Sequence, residues 1–244
     1  MSSCIRVLYI TVFAAIFVIS SDAAQPASDP DALYRRREHV ASARAAAGIW
    51  ASRLAADPRD VESAWKLARA RYWLGGRGND REARKRDLER GIDAADRAIA
   101  IAPDRPEGHF WKAANMGALA ESFGFRQGLR YRGAIRASLE TVLRLDPGFQ
   151  QGSADRALGR WYYKVPGLFG GSRKRSEEHL RRSLTYDPTN HASRFFLAET
   201  LFSMDRDEEA IEQLKALIAA PVDPEWAPED REFKQKARDL LAQR

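Results

Sequence analysis

The 244-residue sequence contains one cysteine, Cys4, which lies just before the one long apolar run of the chain, residues 7–19. If this run is cleaved off as part of a signal peptide, the mature chain has no cysteine at all. Disulfides, thiolate metal sites and cysteine nucleophiles are then excluded. Stability must come from packing, which a chain of this length can supply.

The apolar run itself has the order of an export signal. Arg6 precedes it, and the small residues Ser21 and Ala23 that follow suit cleavage after Ala23. The run is shorter than the roughly 20 apolar residues of a spanning helix, so a retained anchor is the less favoured alternative. No small-residue-then-cysteine site follows it, so we predict no lipoprotein. We expect a signal peptide over 1–23, a linker over 24–31, and a periplasmic or secreted protein.

Catalytic and metal-binding patterns are also lacking. The four histidines include no pair at the spacing of a helical zinc motif. Residues 167–176 contain glycines, Lys174 and Ser176, but not in the Gly-Lys-Ser/Thr order of a phosphate loop. The acidic residues are scattered, and Ser172 and Ser176 have no base nearby in sequence, so nucleophilic catalysis has no support. The sequence therefore predicts a protein that is not an enzyme and has no cofactor or metal.

The net charge of +6 does not point to nucleic acid, although a basic balance often does. Export argues against such a partner. Basic residues are also interleaved with acidic ones over residues 81–90, a pattern typical of a solvated helix face. We predict no nucleic-acid partner.

Strong helix formers dominate the chain from about residue 32 onward, and no alternating β-branched run predicts a strand. A proline ends each successive helical pattern, because proline cannot continue a helix. These prolines are Pro58, Pro103, Pro147, Pro188 and Pro221. The intervals between them shorten from 45 to 33 residues. The last interval is close to the roughly 34-residue period of tetratricopeptide repeats.

The repeat that follows Pro188 shows the tetratricopeptide pattern of large apolar, small and aromatic positions. An alanine marks the crossing of its two helices, because antiparallel helices approach closely only where one side chain is small. The pattern comprises Phe195, Leu197, Ala198, Leu201 and Phe202, followed by Ala210, Leu214 and Leu217. We predict an all-α, tetratricopeptide-like solenoid of about four helical hairpins over 32–223. A helix from Tyr34 to Ala56 and one within 224–244 should cap its ends.

Three repeats are longer than the ideal period, and their extra residues lie between the two helices of each repeat, over 76–88, 122–129 and 164–170. Loops at equivalent positions of a stack emerge on one edge. Two of these insertions are apolar and glycine-rich, with Phe123, Phe125, Leu168 and Phe169. We expect either an exposed apolar rim, which would mark a binding site, or side chains that fold back onto the concave face.

The third insertion follows three consecutive aromatic residues, Trp161, Tyr162 and Tyr163. On a helix these point in different directions, so we expect two of them in the core. The candidate ligand- or partner-binding residues of the whole chain are Phe123, Phe125, Trp161, Tyr162, Pro166, Leu168, Phe169, Gly170, Gly171, Arg173 and Arg175.

A basic helix start follows the glycines of the third insertion. Ser172 is a predicted N-cap, and Arg173, Lys174 and Arg175 come directly after it. Cations at this end oppose the helix dipole. The segment is either a solvated basic turn or a site where backbone N–H groups and cations together hold an anion.

The pattern of residues 158–188 resembles the T-component proteins associated with TRAP transporters, which are periplasmic and have divergent tetratricopeptide repeats. The resemblance rests on Trp161, Pro166, the Leu168–Phe169 pair and the double glycine before the second helix. It implies a scaffold that binds a periplasmic solute-binding protein, as a homo-oligomer with an apolar channel for an organic-acid ligand. The block from Gly108 to Pro147 is similar to the regulator-of-microtubule-dynamics family.

Two functions remain open. The first is a non-enzymatic, periplasmic protein-binding scaffold. The second is a soluble binder of a small apolar organic acid. A wide, open concave face would favour the scaffold, whereas an enclosed apolar cavity ending near Arg173 would favour the small-molecule binder.

Overall fold

A computed structural model describes residues 29–243, except for the side chain of Phe125. Within this range the chain is helical and has no strands, which confirms the predicted fold class. The predicted signal peptide and residues 24–28 of the predicted linker lie outside the described range. The first helix begins at Pro30. The eleven helices are α1 (Pro30–Arg35), α2 (Val40–Ala56), α3 (Val61–Gly75), α4 (Arg81–Ile101), α5 (Pro106–Ser122), α6 (Phe125–Leu145), α7 (Phe149–Lys164), α8 (Arg173–Tyr186), α9 (His191–Phe202), α10 (Asp207–Ala219) and α11 (Ala227–Ala242).

Four helix pairs form the solenoid: α3 with α4, α5 with α6, α7 with α8, and α9 with α10. Helices α1 and α2 cover one end and α11 covers the other. The first helices of successive pairs also pack on one another, from α3 through α5 and α7 to α9. The first helices therefore line the inner, concave face, and the prediction of about four repeats with two caps is confirmed.

Glycines set the distance between the two helices in two of these pairs. A Cβ at Gly75 would lie 2.4 Å from Leu88 Cγ, and one at Gly159 would lie 2.5 Å from Leu180 Cγ. Both leucines are fully buried. The helices can approach this closely only because neither glycine has a side chain.

The predicted N-terminal helix from Tyr34 to Ala56 is wrong in one respect, because the chain breaks into α1 and α2 with a turn between them. In this turn the backbone carbonyl of Arg37 accepts a hydrogen bond of 2.8 Å from Trp73 Nε1. The turn directs the Arg37 side chain toward the far end of the molecule, where it is 3% exposed.

Two of the three predicted loop insertions are also wrong. Residues 81–88 and 125–129 are helical, and α4 and α6 each have 21 residues, compared with 14 in α8 and 13 in α10. The first insertion is rich in helix formers, and the carboxylate of Asp80 caps it by accepting from the Glu82 and Ala83 N–H groups. The third insertion, between α7 and α8, is not α-helical, and one 3₁₀ turn, Gly167–Phe169, lies within it.

The two ends of the solenoid meet in a contact that we call the closure. Arg37 binds Glu229 of α11 through two hydrogen bonds, Nε to Oε1 at 3.0 Å and Nη2 to Oε2 at 2.5 Å. Arg77 pairs with Glu232 at 2.8 Å, and Arg231 pairs with Glu38. The concave face is thus a channel bridged on one side, and not the wide, open groove that the first hypothesis anticipated.

Candidate functional site

The concave channel is lined by arginine and aromatic side chains from the first helices. Arg160 of α7 joins three helices, because its guanidinium binds Glu121 of α5 at 3.0 Å and Glu199 of α9 at 2.5 Å. The same group lies 4.6 Å from the ring centroid of Phe196. Burial alone would lower the pKa of Arg160, but the two carboxylates outweigh it and the pKa is raised.

Arg156, one helical turn before Arg160, has no such partner. Its Nη1 atom is buried and has no hydrogen-bond acceptor among the described residues. Burial lowers the pKa of Arg156 to about 10, and the charges of Tyr72, Asp187 and Asp230 offset this only in part. The side chain as a whole is half-buried, and a partly desolvated cation without a carboxylate in contact favours the approach of an anion.

Aromatic rings border this region of the channel. The ring centroids of Tyr72 and Trp111 lie 5.7 Å apart. The buried Nε1 atom of Trp111, like Arg156 Nη1, has no acceptor within residues 29–243. Two hydrogen-bond donors near these rings, Arg156 Nη1 and Trp111 Nε1, are thus buried and unused within the described residues.

Two cavities lie along the channel. One of about 460 Å³ lies between the C-terminal ends of α7, α9 and α11 and combines aromatic, leucine and charged groups. Its lining includes Tyr163, Phe195, Glu199, Phe202, Lys236, Asp239 and Leu240. The other, of about 440 Å³, lies beside the closure and includes Arg37, Arg69 and Trp226. Neither of these two cavities is lined by Arg173.

A second candidate surface is the edge where the connections α5–α6 and α7–α8 emerge. We call it the loop edge and define it as residues 123–132 and 164–175. Its most prominent feature is Leu168, which is 91% exposed. Leu168 therefore does not fold back onto the concave face, whereas Phe169 is half-buried and its ring lies 5.5 Å from the Arg132 guanidinium carbon.

The turn that carries Leu168 is held by its own backbone. The N–H groups of Phe169 and Gly171 donate to the carbonyl of Pro166 at 2.9 and 3.2 Å. The Ser172 N–H donates to the Tyr162 carbonyl at 3.0 Å. A Cβ at Gly171 would lie 1.7 Å from the Val165 carbonyl oxygen, so only glycine fits there. Gly170 has φ 99°, a conformation that favours glycine.

Trp161 and Tyr162 support the turn from the core, in agreement with the expectation that two of the three aromatic residues would be buried. They are 8% and 4% exposed. The indole Nε1 of Trp161 donates to the Arg132 carbonyl at 3.2 Å, and Tyr162 stacks on His179 with 5.3 Å between centroids. These contacts anchor the loop to α6 and α8.

The other predicted residues of the edge are only partly brought together. Phe123 is half-buried, with the Arg81 guanidinium carbon 5.2 Å from its ring, and the side chain of Phe125 is outside the described part. Arg173 donates to the Tyr163 carbonyl, and Arg175 Nη1 reaches the Tyr162 hydroxyl at 3.5 Å. Among the described apolar side chains of this edge, Leu168 is the most exposed, and Leu129 follows at 39%.

The basic start of α8 is already capped. Ser172 Oγ accepts from the Arg175 N–H at 3.3 Å, which confirms the predicted N-cap geometry. One backbone donor that an anion would need is therefore used, and whether the segment holds an anion stays a prediction.

Sequence reasoning missed the closure and the unpartnered guanidinium. Arg37 and Glu229 are 192 residues apart, and no local pattern marks such a pair. Arg156 could have been found from its register, because it lies one helical turn before Arg160 on the same face of α7.

Among residues 29–243 no group of three metal-ligating side chains occurs. In the same range no helix combines the length and apolar character needed to cross a membrane.

This arrangement of helical hairpins around a concave face defines a tetratricopeptide-like scaffold suited to protein–protein interaction. A tetratricopeptide repeat model matches residues 171–228. In fold, the chain is similar to TTC0263, a thermophilic TPR protein of Thermus thermophilus. The identity is 23% and the TM-score 0.64, with 87% of this chain and 97% of that chain covered. It is also similar to MamA from Desulfovibrio magneticus RS-1, with 16% identity, a TM-score of 0.51, and 86% and 98% coverage.

The family model named "Regulator of microtubule dynamics protein 1-3" matches residues 30–175, more than half of the chain. The chain belongs to this family, in agreement with the similarity seen between Gly108 and Pro147. No curated protein sequence matches the chain.

Proposed function

We propose that this chain is a non-enzymatic, periplasmic protein-binding scaffold whose partner is a TRAP-type solute-binding protein. The cavity of about 460 Å³ between α7, α9 and α11 carries the proposal. It places aromatic rings beside side chains of both charges, and such mixed, aromatic-rich surfaces are typical of protein interface hot spots. The TRAP partner is supported by the resemblance around Pro166 to Ser172, and the periplasmic location by residues 1–23.

The test is direct binding between the purified chain and a TRAP solute-binding protein of the same organism, measured by isothermal titration calorimetry. The informative variant exchanges two charges on the cavity, Lys236→Glu with Asp239→Lys, and keeps the net charge. The matched control exchanges two exposed charges on α10, Glu212→Lys with Lys215→Glu. We expect the cavity exchange to weaken binding at least tenfold, roughly the effect of misplacing two interface charges, and the control to change it little.

No binding by the unmodified chain would rule out this partner. Equal losses in both variants would rule out the cavity as its site. The same resemblance implies a homo-oligomer, which sedimentation velocity of the unmodified chain tests separately.

A second candidate function is favoured by Arg156, which lies in the channel without a carboxylate partner in the described chain. A soluble binder of a small apolar organic acid would place the carboxylate on this guanidinium and the apolar part against Tyr72 and Trp111. Hydrogen bonds between a guanidinium and a carboxylate are among the strong ones in proteins, because both groups are charged.

Titration with short branched carboxylates distinguishes the two functions. If the chain binds such an acid, Arg156→Met should abolish the heat of binding, whereas the Lys236–Asp239 exchange should preserve it. Absence of binding to the unmodified chain, or undiminished binding by Arg156→Met, would dismiss the second candidate.

A further inference from the structure

The loop edge concentrates the positive charge of the protein. Its residues, 123–132 and 164–175, contain seven lysines and arginines and no aspartate or glutamate, whereas the whole chain has a net charge of +6. The rest of the chain is therefore close to neutral and slightly acidic. A one-sided charge distribution of this kind steers binding toward an anionic surface.

These cations are not neutralised within the molecule. Arg136, which lies on α6 just beyond the loop edge, pairs with Glu140 at 2.7 Å. The seven of the loop edge have no carboxylate partner among residues 29–243: Arg126, Arg130, Arg132, Lys164, Arg173, Lys174 and Arg175. All of them except Arg132 are exposed. Their charge is available to an external partner.

The apolar component of this edge has an unusual shape. Leu168 stands almost fully in solvent at the tip of a turn, 91% exposed, and the half-buried Phe169 lies behind it against Arg132. The turn is held by backbone hydrogen bonds and by the close approach of Gly171 to Val165. Leu168 is therefore presented at little cost in conformational entropy.

We propose that the loop edge docks on an anionic lipid surface, with Leu168 entering the headgroup region and the surrounding cations contacting lipid phosphates. A protein interface would bury a core of several apolar side chains over a broad area. The loop edge combines one strongly protruding leucine with Leu129, which is 39% exposed, and with unpaired cations. This combination fits a headgroup layer better, since there an apolar tip and basic side chains act at different depths. An acidic protein is the competing partner.

The test is flotation of the full chain with vesicles of phosphatidylcholine alone or with about 30% phosphatidylglycerol, a common anionic content. We expect binding only to the anionic vesicles, and release when salt is raised from about 0.1 M to 0.5 M, since salt screens surface charge. Lys164→Glu with Lys174→Glu should weaken binding by at least about tenfold, because each basic residue near the surface contributes measurably. Leu168→Ser should weaken it about tenfold through lost apolar burial.

The matched control is Lys215→Glu with Arg238→Glu. It makes the same change in net charge at exposed sites away from the loop edge and should retain most of the binding. A probe on Leu168→Cys in a Cys4→Ser background, where it is the only cysteine, should shift its emission to the blue on anionic vesicles. Equal binding to neutral vesicles, equal loss in the control, or no emission shift would overturn the proposal. So would binding to a polyglutamate matrix without binding to anionic vesicles.

Discussion

The concave channel and the loop edge are both rich in arginine, but the carboxylates are distributed unequally between them. In the channel and at its closure, Arg37, Arg77 and Arg160 each bind a glutamate from another helix. At the loop edge, none of the seven cations has a carboxylate partner in the described part of the chain. Paired arginines inside a curved stack hold its helices together, whereas unpaired ones outside contribute little to stability. The difference is why we expect the first group of arginines to matter for stability and propose the second group for binding.

The largest expected effect is at the closure. Arg37 is 3% exposed, binds Glu229 twice, and has its guanidinium carbon 5.1 Å from the ring of Tyr34. Arg37→Ala leaves Glu229 without its partner and should lower the free energy of unfolding by about 3–5 kcal/mol. Urea denaturation measures this, and small-angle scattering should show a larger radius of gyration as the ends separate.

Arg35→Ala, two residues away, is the control. Its side chain is 67% exposed and its pair with Asp29 spans 3.7 Å, so its loss should cost no more than about 0.5 kcal/mol. If the two variants were equally stable, the closure would contribute nothing measurable.

The second prediction concerns the loop edge, where backbone geometry and not charge sets stability. Gly171→Ala would bring its Cβ to 1.7 Å from the Val165 carbonyl oxygen, so the turn must shift, and we expect a loss of about 1–3 kcal/mol. Gly167→Ala meets nothing within 4 Å and should change stability by less than about 0.5 kcal/mol. Thermal unfolding of the pair measures the difference. Equal melting temperatures would show that the turn is not rigid.

The fold could be predicted from the sequence because its determinants are local. Prolines end the helices, and small residues such as Ala198 mark the helix crossings. The longer helices α4 and α6 were harder to predict, since the comparison with an ideal period locates extra residues but not their conformation. The high helix propensity of residues 81–90 predicts their conformation better than the repeat period does.

The candidate site was predictable only in part, for a related reason. The loop between α7 and α8 stands out because Pro166, Gly170 and Gly171 break a helical pattern. That Leu168 is exposed while Phe169 is half-buried depends on Arg132 of another helix. The closure between Arg37 and Glu229 arises from curvature accumulated over four repeats, which no single segment encodes.

The smallest expected effect on stability is at Arg156, and it is a gain and not a loss. Arg156 differs from the other channel arginines because it has no carboxylate partner among the described residues. Because this half-buried side chain has a buried Nη1 atom and no carboxylate partner in residues 29–243, Arg156→Met should raise the free energy of unfolding by about 1 kcal/mol. Burial lowers the pKa of Arg156 to about 10, so the penalty for charging it is fully present below that pH. As the pH rises through 10, the folded state loses this proton more readily than the unfolded state does, and the penalty is relieved.

The gain in free energy of unfolding from Arg156→Met should therefore be largest at neutral pH and smaller at about pH 10.5. Urea denaturation at both pH values measures it. Arg160→Met is the matched comparison on the same helix face. It leaves Glu121 and Glu199 without their shared partner and should lower stability by about 1–3 kcal/mol. If both methionine variants were destabilised equally, the presence of a carboxylate partner would not determine how the two arginines affect stability. An anion site at Arg156 would then have no support.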